Sequence, residues 1–181
     1  MTPVTSTPSC PLADLPADGP LPALAEALML FGQFVGAWDV DMEFYDDSGR
    51  RVSRRAGTWS FGWVLDGRAI QDVLIYPMTS APDAAAPGTR GIGTSLRYFD
   101  PNTDKWHVIW VGAVTGVIVT LHAEQVDDEI HLHSDPEPDG TLNHWMFTDI
   151  TTDSFLWKGY ESGGGGETWR LRQIMRASRR G

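Results

Sequence analysis

Two oppositely charged side chains, Asp72 and Arg97, each stand in a run of large apolar and aromatic residues, and a buried carboxylate beside a buried guanidinium can do chemistry. Desolvation raises the pKa of an isolated carboxylic acid and can turn it into a general acid or base. A desolvated guanidinium can hold a carboxylate or a developing oxyanion. The reason to pair them is hairpin arithmetic. In a hairpin with an even-length loop, opposed residues keep a constant index sum and share one face of the sheet. Around the turn Asp66-Gly67 this sets Phe61 opposite Asp72, Trp63 opposite Ile70 and Trp59 opposite Leu74. Around Pro101 to Asp104 it sets Arg97 opposite Val108, Ser95 opposite Trp110 and Phe99 opposite Trp106. If both faces point inward, Asp72 and Arg97 meet from consecutive strands, either as a buried ion pair that fixes register or as the polar anchor of a site.

The second group with chemical potential is His131-Leu132-His133, followed by Glu137, a partial match to a His-x-His metal motif. The turn at Asp127-Asp128 sets His122 opposite His133 and Glu124 opposite His131, so four potential ligands share a face. The other face carries Val117, Val119, Leu121, Ala123, Ile130 and Leu132, and it is the apolar face that a sheet buries. The histidines are therefore expected outward, as a solvated patch rather than a metal centre, with His107 and His144 isolated. No phosphate-binding loop, nucleophile elbow or Cys-x-x-Cys pair is present, and no cofactor is called for.

These residues need strands to position them. Trp38, Val40, Met42 and Phe44 alternate strictly, and turn signals recur after them at the spacing of about ten strands, most carrying a tryptophan, phenylalanine or tyrosine. The pattern predicts an all-β, closed antiparallel up-and-down barrel of about ten strands. A single N-terminal helix over 21–34, with Leu24, Leu28 and Phe31 at helical spacing, is expected to plug one end. Residues 1–20 read as a flexible Pro-rich leader, 21–178 as one barrel domain, and 79–88 as a longer loop at a barrel mouth. The last strand should turn Trp169, Leu171, Gln173 and Met175 toward the core. Arg176, Arg179 and Arg180 read as a solvated tail.

Composition narrows the function. With 14 basic and 24 acidic residues in 181, the net charge of −10 repels nucleic acid and anionic membranes. One cysteine, Cys10, permits no internal disulfide, and no run approaches the roughly 18 apolar residues of a membrane helix, so a cytoplasmic setting is expected.

The segment Phe34-Val35-Gly36-Ala37-Trp38-Asp39 resembles the Gly-x-Trp start of the calycin superfamily. GWVLDGRAIQDV, LRYFDPNTDKWHVIW and FTDITTDSFLWKGYESGGGGETWRL extend the likeness to a group of bacterial lipocalin-like proteins of unassigned function. The resemblance implies a meandering barrel with a cavity for small, often hydrophobic molecules. It also implies a basic residue of the last strand packed on Trp38, for which Arg170 or Arg172 is the candidate.

The leading expectation is thus binding of a hydrophobic or aromatic small molecule. Trp59, Trp63, Trp110, Trp145 and Trp157 would form the walls, with Tyr76 on the same face, and Asn143 and Gln173 would join Asp72 and Arg97 as polar contacts. An alternative is a cofactor-independent cyclase, isomerase or lyase using Asp72 as acid/base and Arg97 as oxyanion stabiliser. A third is an interaction module whose barrel is filled and whose exposed apolar patch makes a homodimer.

Overall fold

The structure is a computed structural model that describes residues 12–78, 86–163 and 165–181. Ten strands follow one short helical segment. These are β1 (Gly36–Tyr45), β2 (Arg51–Val64), β3 (Ala69–Pro77), β4 (Arg90–Asp100), β5 (Lys105–Gly112), β6 (Val117–Val126), β7 (Glu129–Ser134), β8 (Leu142–Thr148), β9 (Ser154–Ser162) and β10 (Arg170–Arg179). Each pairs antiparallel with its neighbours in sequence, and β1 pairs with β10 to close the barrel. Closure leaves no unpaired edge among the ten described strands, and alternation then sends every second side chain inward.

The helix is split. Pro22–Leu24 forms a 3-10 turn, consistent with a proline that lacks a donor in the first turn, and α1 runs over Ala25–Gly32. Leu28 and Phe31 are buried completely and Phe34 almost so. Phe31 packs edge-on against Trp106 at 4.9 Å, and Phe34 lies 4.9 Å from Phe147 and 4.8 Å from Phe155, so the helix stoppers one end of the barrel. The segment ahead of it does not float free over its described part. Leu65 donates to the Leu15 carbonyl, Ala17 to Trp63 and Leu21 to Gly67, which straps residues 15–21 across the β2–β3 turn. Gly67 at φ 73° is needed there, because a Cβ would meet the Gly19 carbonyl at 2.1 Å. Cys10 lies outside the described residues, as does most of the loop expected over 79–88.

The hairpin registers are those that the turns imply: Phe61 faces Asp72, Ser95 faces Trp110, Arg97 faces Val108 and His122 faces His133. The last strand departs from strict alternation. A bulge between Leu171 and Gln173 adds a residue, so Gln173 and Met175 face inward while Leu171 pairs with Tyr160 and Trp169 ends on the outer surface, 40% exposed. The expected inward set is corrected accordingly.

The C-terminal arginines are not a solvated tail. Arg179 stacks its guanidinium 4.1 Å from the Trp38 ring and donates to the carbonyls of Gln33, Val35 and Thr152. Arg180 pairs with Asp39 and Arg176 with Glu43. The basic residue on Trp38 is therefore Arg179, not Arg170 or Arg172. It ties the end of the helix, the start of β1 and the β8–β9 turn into one knot. Arg179→Ala should cost about 2 kcal/mol in a denaturant titration, because three charge-assisted donors and a cation–π contact are lost together. A variant as stable as the parent would show that Trp38 alone closes the seam.

Candidate functional site

Asp72 and Arg97 meet inside the barrel, the acid fully buried and the base 2% exposed. One oxygen of the carboxylate pairs with the Arg97 guanidinium, and the other accepts the Ser95 backbone N–H at 3.0 Å. The guanidinium lies between aromatic rings, with its carbon 5.2 Å from the centre of Phe31, 5.3 Å from Phe61 and 5.9 Å from Phe147. It thus forms the boundary between the helix plug and the lumen. Ring faces carry partial negative charge and favour a cation held there.

Beyond Arg97 the lumen keeps a cavity of about 90 Å³, lined by Trp59, Leu74, Ser95, Arg97, Trp110, Trp145, Trp157, Gln173 and Met175. Four indoles surround it, and Trp145 stands edge-on to both Trp110 and Trp157. They fit because the wall behind two of them carries no side chain. A Cβ on Gly93 would sit 2.3 Å from the Trp110 ring, and one on Gly159 would sit 2.6 Å from that of Trp157. Toward the open end, a second recess of about 220 Å³ shares Trp110 and Gln173 with the cavity and is completed by Tyr76, Ile92, Gly112, Val114, Thr115 and Val117. Burial raises the Tyr76 hydroxyl above the ordinary phenol range, so it remains a proton donor at neutral pH. Val114 and Val117 stay exposed on the rim.

Two donors of these lining residues are unused. The Arg97 Nε and Trp59 Nε1 groups are buried, and neither has a hydrogen-bond partner among the described residues. An orphaned buried donor costs about 1–3 kcal/mol; both lie behind the cavity lining and closed to water, so a guest's acceptor reaches either only after the neighbouring rings shift.

Not every residue singled out from the sequence reaches this space. Trp63 packs under the helix, against Gly32, and does not line the cavity. Asn143 donates to Glu137 and its backbone to Ser134, which fixes the β7–β8 connection rather than the lumen. Asp72 lies behind Arg97 and Ser95, and only those two line the cavity. Leu74, Ser95 and Met175 join the lining without having been named as contacts. The first two were legible as same-face neighbours of Trp59 and Arg97.

The histidines form a separate group on the outer wall. His107, His122, His133 and His144 face one another in turn across β5 to β8, so all four stand in one row, and His131 sits beside it. His131, His133 and His144 each bring a ring nitrogen within 4.8 Å of the others. His122 and Glu124, expected in the same cluster, flank it instead, with Glu124 4.0 Å from His133. Burial first, and then the charges of His133 and His131, pull the His144 pKa down to about 4.

Comparison with known proteins places the fold. The chain is similar to an S-type phycobiliprotein lyase from Guillardia theta, with a TM-score of 0.58 at 12% identity over 86% of this chain and 93% of that one. The likeness is one of fold alone. No family model matches the chain, and no curated protein does either. Among the described residues, no helix is long and apolar enough to cross a membrane.

Proposed function

We propose that the barrel, as one unit over residues 21–178, binds a compact apolar or aromatic molecule bearing a hydrogen-bond acceptor, such as a carbonyl or carboxylate. The carrying observation is a hollow walled by four indoles with Arg97 in its lining, and with two unpartnered donors, Arg97 Nε and Trp59 Nε1, buried just behind that lining. At about 90 Å³ the inner cavity is well below the roughly 300 Å³ at which pockets for drug-sized ligands begin. Only a single ring or a short chain enters it. A larger guest would leave its remainder in the outer recess, against Tyr76 and Gln173.

The similar solved structure is that of a lyase, and a barrel of this kind could carry an elimination or isomerisation. The geometry favours binding instead, because Asp72 has both oxygens engaged and does not line the cavity, leaving no acid/base of that pair to touch a guest.

Intrinsic tryptophan fluorescence titrated with single-ring carboxylates and with neutral rings of the same size tests the reading. Saturable quenching is expected, tighter for the carboxylates. Trp59→Phe removes one orphaned donor and little volume, so it should weaken the acids about 5–10-fold and leave the hydrocarbons unchanged. If no compound of either class saturates, the cavity is not a binding site. Equal affinity for both classes would remove the acceptor from the proposal.

A further inference from the structure

All five histidines of the chain stand on one patch of the outer wall, although they come from four different strands. Within the patch, His144 Nε2 and His131 Nδ1 are 3.2 Å apart. Two nitrogens bound tetrahedrally to one zinc at 2.0–2.1 Å lie about 3.4 Å apart, so this spacing already matches one edge of a coordination tetrahedron. The other nitrogen of His131 contacts the Glu129 carboxylate at 3.0 Å. Such a contact places the proton on the outer nitrogen and leaves the inner lone pair directed at the cluster, the arrangement that orients metal-bound imidazoles. His133 stacks on His144 with centroids 4.3 Å apart. Its side chain is half exposed, free to turn its nitrogen by the ångström or so that a third bond requires. Trp169, swung outward by the β10 bulge, packs edge-on to His144 at 5.7 Å and covers one side.

We propose that His131, His133 and His144 form a binding site for a zinc-class divalent cation on the outer wall of the barrel. Three neutral imidazoles suit zinc, copper and nickel, and a three-histidine set leaves a fourth position for water or for Glu124, whose carboxylate stands beside His133. The site is independent of the lumen. The alternating strands that carry these rings turn Leu132 and Trp145 to the inside, so cation and cavity guest lie on opposite faces of the same wall.

The test uses the full chain without a polyhistidine tag, stripped with chelator, and titrated with Zn²⁺ by calorimetry and with Co²⁺ by visible absorbance. One equivalent with micromolar or tighter affinity is expected, and the cobalt form should show the intense bands of four- or five-coordination. His131→Gln and His133→Gln should each weaken binding at least tenfold. His133 is exposed enough for its variant to fold regardless. His107→Gln, in the same row but outside the triad, should leave affinity unchanged. Binding weaker than millimolar, cobalt bands of an octahedral hydrated ion, or affinity indifferent to His131→Gln and His133→Gln would each overturn the site.

Discussion

Asp72→Asn is expected to destabilise the barrel by about 3–5 kcal/mol, one of the two largest effects that a single substitution here should produce. The change leaves the Arg97 guanidinium charged, buried and without its counter-ion, and breaking one half of a buried pair costs far more than the pair itself is worth. Three aromatic rings around the guanidinium soften the loss but do not replace a carboxylate. Denaturant unfolding followed by tryptophan emission measures it. The informative partner is the double variant Asp72→Leu with Arg97→Met, which removes both charges and fills much of the same volume. It should be close to parental stability or above it, since well-packed apolar replacements of buried pairs commonly are. If that variant is stable and no longer prefers carboxylates over neutral rings, the pair exists for the guest and not for the fold. A loss under about 1 kcal/mol in Asp72→Asn would mean that the rings alone can hold the cation.

The second large effect is expected on binding. Gly93→Val should reduce affinity for single-ring ligands by a hundredfold or so, because the added side chain collides with the Trp110 ring and pushes it into the cavity or the adjoining recess, the two spaces a guest would fill. One or two misplaced carbons in an apolar pocket are worth roughly 10–200-fold, and a displaced indole is more than that. Overpacking would also cost about 1–3 kcal/mol of stability, so affinity is to be measured on the folded fraction. Unchanged binding in a folded Gly93→Val protein would show that guests sit elsewhere, with the outer recess as the next place to look.

Much of this arrangement could be read from the chain because its strands meet mostly through short turns. Once Asp66-Gly67, Asp100 to Asp104 and Asp127-Asp128 are recognised as turns, index sums decide which residues oppose within each hairpin, and Asp72 and Arg97 meet on the condition that both faces point inward, since the long β3–β4 connection sets no register. The same logic fails where the backbone breaks period two. The extra residue in β10 carries no sequence mark that alternation can detect, so alternation points Trp169 inward while it stands outside. His144 joined the other histidines through the long Pro-containing connection after β7, for which no turn rule gives a register. The resemblance points to Arg170 or Arg172, at the start of β10, for the residue on Trp38, and Arg179 at the strand's other end supplies it. The size of the cavity was the least legible feature. It depends on how four indoles lie against Gly93, Gly159 and one another, a matter of side-chain rotation rather than of pattern.

Nine of the ten seams of the barrel join strands adjacent in the sequence, and only the seam between β1 and β10 unites its two ends. Local ladders can zip early because each closes a small loop, whereas the last seam must wait until all ten strands are available. Until it forms, β1 and β10 both present open edges to other molecules. Arg179, Arg180 and Arg176, which reach from the end of β10 to the helix end and to the acids of β1, are thus the latch of an assembly that stays sticky until that seam docks.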